Sequence, residues 1–187
     1  MHSSEKNFPI IDLGDFILRE KQEEDIEDFF RYYSDPEVNK NILTTIPQDL
    51  EDARRELYYW RNIFYQNDGI YFAIATKNDN KIIGSIGLTS YNIYNSRIEL
   101  SYDLAKEFWR KGIMTKAIKA VLAYGFQSLD VNRIEAFTSV ENIASRNLLL
   151  KCNFTFEGVL RQHRYHNNSY RDACVFSLLR SEFNPNF

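Results

Sequence analysis

Apolar residues along the chain recur with two spacings, which predict helices and strands in alternation. A spacing of three or four residues marks one face of an α-helix. It predicts four helices, which are Ile26 to Tyr33, about Asp49 to Gln66, Met114 to about Gln127, and Asn142 to about Cys152. The sequence Ser34-Asp35-Pro36 is expected to end the first helix, because proline cannot continue one.

Short runs rich in β-branched and aromatic residues predict strands. Seven are expected, which are Phe16–Arg19, Tyr71–Ala75, Lys81–Ile86, Arg97–Leu104, Arg133–Thr138, Phe154–Leu160 and Arg171–Leu179. The order β-α-α-β-β-β-α-β-α-β-β predicts the α/β class, with one mixed sheet and helices on both of its faces. Only the section from residue 97 to residue 138 has the form of a parallel crossover.

Length and composition are those of a single folded domain. The chain has 187 residues, of which 44% are hydrophobic. We expect residues 1–9 to be a loose lead-in and residues 10–187 to form one domain. No stretch reaches the roughly 18 apolar residues of a membrane span, so we expect a cytoplasmic protein with no membrane partner. A net charge of -3 argues against direct nucleic-acid binding.

A basic, glycine-containing loop leads from the strand at residues 97–104 into the third predicted helix. The first N–H groups of a helix lack internal partners, and the helix dipole favours an anion there. Gly112 has no side chain, so a phosphate group can approach the backbone closely. We therefore expect the loop to bind a phosphorylated cofactor through Trp109, Arg110, Lys111, Gly112, Ile113, Met114 and Thr115.

Four segments, in order, resemble the GNAT superfamily of N-acetyltransferases, and within it the RimJ/RimL-like branch that acetylates the N-termini of ribosomal proteins. They are Ile98–Leu104, Phe108–Ala117, Glu141–Asn147 and Phe154–Asp172. The resemblance implies a twisted, mostly antiparallel sheet with a parallel, splayed pair of strands at the cofactor site. The family pattern Gln/Arg-x-x-Gly-x-Gly/Ala is altered here, since Trp109 and Met114 occupy its first and last positions.

The resemblance also implies acetyl-CoA as the donor of an acetyl group and an amine as its acceptor, with direct transfer in a ternary complex. We expect no metal, because His163, His166, Cys152 and Cys174 form no tight CxxC or HxxxH pairing. Pantetheine would pair with the backbone of Tyr102, Asp103 and Leu104 as an added strand does. Asn142 would hold pantetheine from the opposite side, and Ser145 would donate a hydrogen bond to its sulfur. Asn142 and Ser145 also fit a simpler role as caps of the short helix.

Glu99 is the best candidate for the base that removes a proton from the acceptor amine, because it lies beside the expected pantetheine segment. The alternative is that Glu99 is an ordinary strand residue that faces solvent and has no catalytic role. Tyr165 is a second candidate, after Ser145, for the donor to the leaving sulfur. Some family members have a glutamate at the position aligned with Arg164, and an arginine cannot accept a proton. Either Glu99 takes that role, or Arg164 binds an acidic substrate.

Three acceptor hypotheses remain open on the sequence alone. The first is a protein N-terminus, including that of a ribosomal protein. The second is a small amine such as a polyamine or an aminoglycoside, for which the acidic run Glu23-Glu24-Asp25 with Glu27-Asp28 would be favourable. The third is a CoA-binding module without turnover. In each case we expect a monomer or a homodimer.

Overall fold

A computed structural model describes residues 7–40, 42, 46–166 and 168–185. Within these residues, eight strands form one sheet in the order β1-β2-β3-β4-β5-β6-β8-β7. Neighbouring strands are antiparallel except β5 and β6, which are parallel. The mixed α/β class is therefore confirmed. The strands are β1 Ile11–Asp12, β2 Phe16–Arg19, β3 Ile70–Thr76, β4 Ile82–Asn92, β5 Arg97–Leu104, β6 Arg133–Ser139, β7 Thr155–His166 and β8 Ser169–Leu179.

In the part of the chain that the structure describes, five α-helices connect the strands, one more than the sequence predicted. They are α1 Ile26–Tyr33, α2 Pro36–Asn39, α3 Leu50–Tyr65, α4 Ile113–Gln127 and α5 Ile143–Lys151. The short α2 is the addition. Pro36 ends α1 as expected, but it also begins α2, because proline suits the first turn of a helix. The Asp35 carboxylate caps α2 by accepting the Glu37 N–H at 2.8 Å.

The helices pack on both faces of the sheet, as predicted. On one face, Ala117, Ile118 and Val121 of α4 are fully buried and join Ile86 and Leu88 of β4 in the larger core cluster. On the other face, aromatic and aliphatic residues of α1 and α3 form a smaller cluster with the sheet; these are Phe29, Tyr32, Leu57, Ala73 and Ile82. β4 serves both layers because its register with β3 shifts beside Ile82, so Ile82 joins the smaller cluster although it is an even number of residues from Ile86 and Leu88.

Two local features were not predicted. The Phe8 ring packs on Phe64 and Phe72 with centroids 4.8 and 5.2 Å apart; residues 1–6 lie outside the described residues, and the bounds of the lead-in stay a prediction. The hairpin of β7 and β8 is also longer than predicted. Its register shifts between Phe156 and Gly158 and again between Leu160 and Arg164. Such bulges disturb the two-residue period that sequence analysis depends on.

The parallel pair opens into a gap, which positions the site. β5 and β6 pair only from Arg97–Glu99 to Arg133–Glu135, while β5 stays paired with β4 as far as Leu104. Beyond Glu99, one edge of β5 therefore faces a space rather than a neighbouring strand. The loop between β5 and α4 starts at the open end of this gap. In the described part of the chain, no helix is long and apolar enough to cross a membrane.

Candidate active site

The loop between β5 and α4 leaves the start of the helix open. Gly112 is the N-terminal cap residue of α4, with φ +74°, and no described side chain caps the helix. A Cβ built on Gly112 would meet no atom within 4 Å. The side chains of Ile113 and Met114 are buried in the core, so these residues can offer a ligand only their backbone N–H groups. This geometry suits a phosphate group, and the binding of one here stays a prediction.

Two neighbouring residues shape this loop. The Trp109 indole N–H donates to the Leu104 carbonyl at 2.7 Å, which ties the loop to the end of β5. The Lys111 ammonium lies 5.1 Å from the Phe108 ring centre. Arg110 is exposed and adopts φ +61°. Trp109 thus holds the loop in place, while Arg110 and Lys111 supply positive charge at its surface.

The backbone direction of β5 decides which residues face the gap. Ala105 N–H donates to Ile83 O on β4 at 2.8 Å. Successive residues of a strand direct their amides to opposite edges. The Asp103 amide, two residues before that of Ala105, therefore also faces β4, and the Tyr102 amide faces the gap. The Leu104 carbonyl is already occupied by Trp109. Of the three residues predicted to pair with pantetheine, Tyr102 offers its backbone most directly, and Asp103 does not.

Tyr102 and Ser145 meet across the gap. Their hydroxyl oxygens are 2.7 Å apart. The Asn142 side chain caps α5 by accepting the Ser145 N–H at 3.1 Å, so the capping role belongs to Asn142 and the Ser145 hydroxyl stays available. Burial raises the pKa of Tyr102 well above its ordinary value, which keeps this hydroxyl a proton donor. The sequence did not reveal this pair, because its members are 43 residues apart.

Tyr165 is not brought to the same place. It is 63% exposed, and its ring packs on Tyr170 with centroids 5.0 Å apart. Its neighbour Arg164 points to the other face of β7, towards the site. The role of Tyr165 as a donor stays a prediction.

Glu99 lies at the point where the parallel strands separate. Arg164 donates from Nη2 to Glu99 Oε1 at 3.0 Å, and its guanidinium lies 5.2 Å from the Phe137 ring centre. Burial raises the pKa of Glu99, and the charge of Arg164 opposes this shift. Glu99 is therefore a half-buried carboxylate with one arginine partner. It does not face solvent, as the alternative interpretation of the sequence required. A carboxylate with a raised pKa is suited to accept a proton.

Asp103 belongs instead to a buried polar cluster on the face of α1. Its carboxylate accepts a hydrogen bond from the Tyr32 hydroxyl at 2.8 Å, and Tyr32 lies 3.0 Å from the Ser85 hydroxyl. Lys21, which is only 1% exposed, donates to the same Ser85. Burial raises the pKa of Asp103 to about 6 and lowers the pKa of Lys21 to about 8. No sequence pattern marks Lys21 as a buried residue.

The cluster predicts a pH-dependent stability difference between the protein and its Asp103→Asn variant. Unfolding lets Asp103 ionise near pH 3.8, whereas the folded protein retains this proton up to about pH 6. Between these values the native state binds more protons, so the native chain should lose stability relative to the variant as the pH rises. Urea unfolding of both proteins at pH 4, 5 and 6 measures this difference. A constant difference over this range would contradict the assignment.

Comparison with known proteins identifies the family. The sequence model of the protein family described as acetyltransferase (GNAT) domain matches residues 15–155 of this chain. The uncharacterized N-acetyltransferase YoaA of Bacillus subtilis is 32% identical over 173 residues, which cover 92% of this chain and 98% of YoaA.

Solved structures show the same fold. The ribosomal-protein-S5-alanine acetyltransferase of Vibrio fischeri aligns with a TM-score of 0.80 at 20% identity, covering 95% of this chain and all of that one (100%). The spermidine N-acetyltransferase of Vibrio cholerae, solved in complex with CoA and spermine, aligns with a TM-score of 0.77 at 22% identity, covering 90% and 97%. GNAT acetyltransferases use acetyl-CoA. The chain described here belongs to the GNAT family and is an N-acetyltransferase.

Proposed function

We propose that this enzyme transfers the acetyl group of acetyl-CoA to the N-terminal α-amine of a protein, with ribosomal proteins as the first acceptors to test. The observation that carries the proposal is that the carboxylates where β5 and β6 separate are already paired with arginines. Glu99 accepts from Arg164 at 3.0 Å. Glu135 accepts from both Arg97 and Arg133 at 2.8 Å.

This charge pairing bears on the choice between two acceptor classes. One structural neighbour is named as a ribosomal-protein-S5-alanine acetyltransferase and the other as a spermidine N-acetyltransferase. Their shared fold therefore does not distinguish a protein acceptor from a polyamine acceptor. A polyamine carries several positive charges and needs free carboxylates around it, which a set of arginine-paired carboxylates does not offer. A polypeptide N-terminus brings one amine and places no such demand.

The acidic run that favoured a small amine is also largely engaged. Asp25 pairs with the buried Arg19 at 2.7 Å. Asp28 pairs with Arg31, and Glu23 pairs with Arg54. The sequence-based support for the second hypothesis is correspondingly weaker.

The chemistry of an α-amine matches the groups present. An α-amino group has a pKa of about 7.7–8.0 against about 10.4 for a lysine side chain, so at neutral pH it costs roughly 3 kcal/mol less to deprotonate. Glu99 would take the proton from the amine as it attacks. When bound, acetyl-CoA supplies the acetyl group as a thioester. The N–H groups at the start of α4 would hold its pyrophosphate, the Tyr102 backbone its pantetheine, and the paired hydroxyls of Tyr102 and Ser145 would donate towards the sulfur.

Release of free thiol from acetyl-CoA tests the acceptor class. The panel includes peptides with a free α-amine, the same peptides with a blocked α-amine and a free lysine, and spermidine. We expect release with the first group only. Faster release with spermidine would favour the small-amine hypothesis. Tight CoA binding with no release for any acceptor would favour a module without turnover.

The paired hydroxyls give a second expected result. Ser145→Ala and Tyr102→Phe should each lower kcat about tenfold, the effect of losing one hydrogen bond of roughly 1.4 kcal/mol in the reacting complex. Because the two hydroxyls act together, the double variant should lose little more than either single variant. Tyr165→Phe provides the comparison. A larger fall in kcat for Tyr165→Phe than for the other two variants would assign the donor to Tyr165. Additive falls in the Ser145 and Tyr102 double variant would show that the two hydroxyls do not act as one donor.

A further inference from the structure

The hairpin of β7 and β8 places two arginines opposite each other beside the candidate base. Arg164 on β7 and Arg171 on β8 are direct partners in the strand register, so both side chains lie on the same face of the hairpin. This is the face from which Arg164 contacts Glu99. Like charges directly opposite each other in a sheet are destabilising unless an anion lies between or beside them.

Among the described residues, one acidic group forms an ion pair with these two arginines. Glu99 is the salt-bridge partner of Arg164, and in the described ranges no acidic side chain comes within ion-pair distance of Arg171. Arg171 is exposed, whereas Arg164 is half-buried. The two arginines therefore leave about one positive charge unbalanced at the edge of the site.

Arg164 also has hydrogen-bonding capacity that the protein does not use. Its Nη2 donates to Glu99, but its Nε is buried and has no partner among the described residues. The Nε is closed to solvent, so the group that a ligand can reach is Nη1, which makes no hydrogen bond to the described residues. The planar guanidinium, held against the Phe137 ring, presents its N–H groups in the geometry that a carboxylate matches.

We infer that Arg164 and Arg171 together bind a carboxylate of the acceptor, so that the enzyme selects polypeptides with an acidic residue at the second position. This inference rests on the proposed function. Only Arg164 contacts Glu99, and Arg171 is the more exposed of the two. A carboxylate held by both arginines therefore lies outward from the base. The side chain of a second residue reaches that position, whereas the α-carboxylate of a free amino acid is only two bonds from its amine.

The test compares peptides that differ in one group. Two peptides with N-terminal serine carry Asp or Asn as their second residue, and kcat/KM is measured from thiol release. We expect the native enzyme to prefer the Asp peptide about tenfold or more, as for one charge-assisted hydrogen bond, and to lose part of this preference at high salt. Arg171→Gln should reduce the ratio to about two or less, and Arg171→Lys should retain part of it.

A matched control removes one positive charge far from the hairpin. Lys77 lies just after β3 and pairs with Asp12 on the surface. Lys77→Gln should retain the full preference. The charge reversal Arg171→Glu should favour a peptide with Lys at the second position over one with Asp.

The rates with the two peptides also distinguish recognition of a carboxylate from acetylation of an N-terminal amine. If the native enzyme acetylates both peptides equally well, the carboxylate inference is overturned and the proposed function stands. If it acetylates neither peptide, both are overturned. If it acetylates free amino acids with higher kcat/KM than the Asp peptide, the assignment to a polypeptide side chain is overturned.

Discussion

Gly112→Val is expected to weaken acetyl-CoA binding by more than about a hundredfold, or roughly 2.7 kcal/mol. Gly112 has φ +74°, and the space around its absent Cβ is open. A valine there would fill the position that we assign to the pyrophosphate, and its branched side chain disfavours the left-handed conformation that aims the first amides of α4. Several backbone hydrogen bonds to one anion would be lost together. Titration calorimetry with CoA measures the loss directly.

Two variants separate this effect from strain and from charge. Gly14 also has positive φ, +91°, with nothing within 4 Å of a Cβ. Gly14→Val should therefore strain the backbone without changing CoA affinity. Lys111→Ala removes one exposed charge and should cost less than about tenfold. If Lys111→Ala were the more damaging change and Gly112→Val bound CoA normally, the backbone site would be wrong.

The sequence predicted the parts of the site that depend on local structure. The start of α4 follows from helical spacing and from one glycine, and the observed helix, Ile113–Gln127, begins one residue before the prediction. The Asn142 cap is another local feature, since the side chain and the amide it binds are three residues apart. Strand β5 was predicted to the residue because its apolar and polar positions alternate cleanly.

The parts that the sequence could not predict depend on register and on distant contacts. Glu99 meets Arg164 across 65 residues of chain. The amide direction that favours Tyr102 over Asp103 is fixed by how β5 pairs with β4, and the sequence does not specify that register. Lys21 follows a strand and has the appearance of an ordinary surface lysine. Only the folded arrangement buries it beside Ser85.

Glu99→Gln is the second change with a large expected effect, a fall in kcat of about 10²–10³, as is typical for the loss of a general base. Glutamine keeps the size and the hydrogen-bonding oxygen of glutamate but cannot take the proton of the amine. Glu135→Gln is the matched control, because Glu135 is the parallel-register neighbour of Glu99 and is fully paired with arginines. We expect it to lower kcat less than about threefold. A larger fall in the Glu135 variant would transfer the role of base to that residue.

The pH profile provides a readout that a purely structural role of Glu99 would not change. Glu99 acts as a base only when ionised, and burial raises its pKa, so the rate should fall on the acid side at a pH above the ordinary glutamate value of 4.5. The positive charge of Arg164 favours the ionised form and holds this pKa down. Arg164→Gln should therefore move the acid limb to higher pH, and Glu99→Gln should remove it. An acid limb that stays in place in both variants would show that a different group titrates, and Glu99 would then be only the partner that orients Arg164.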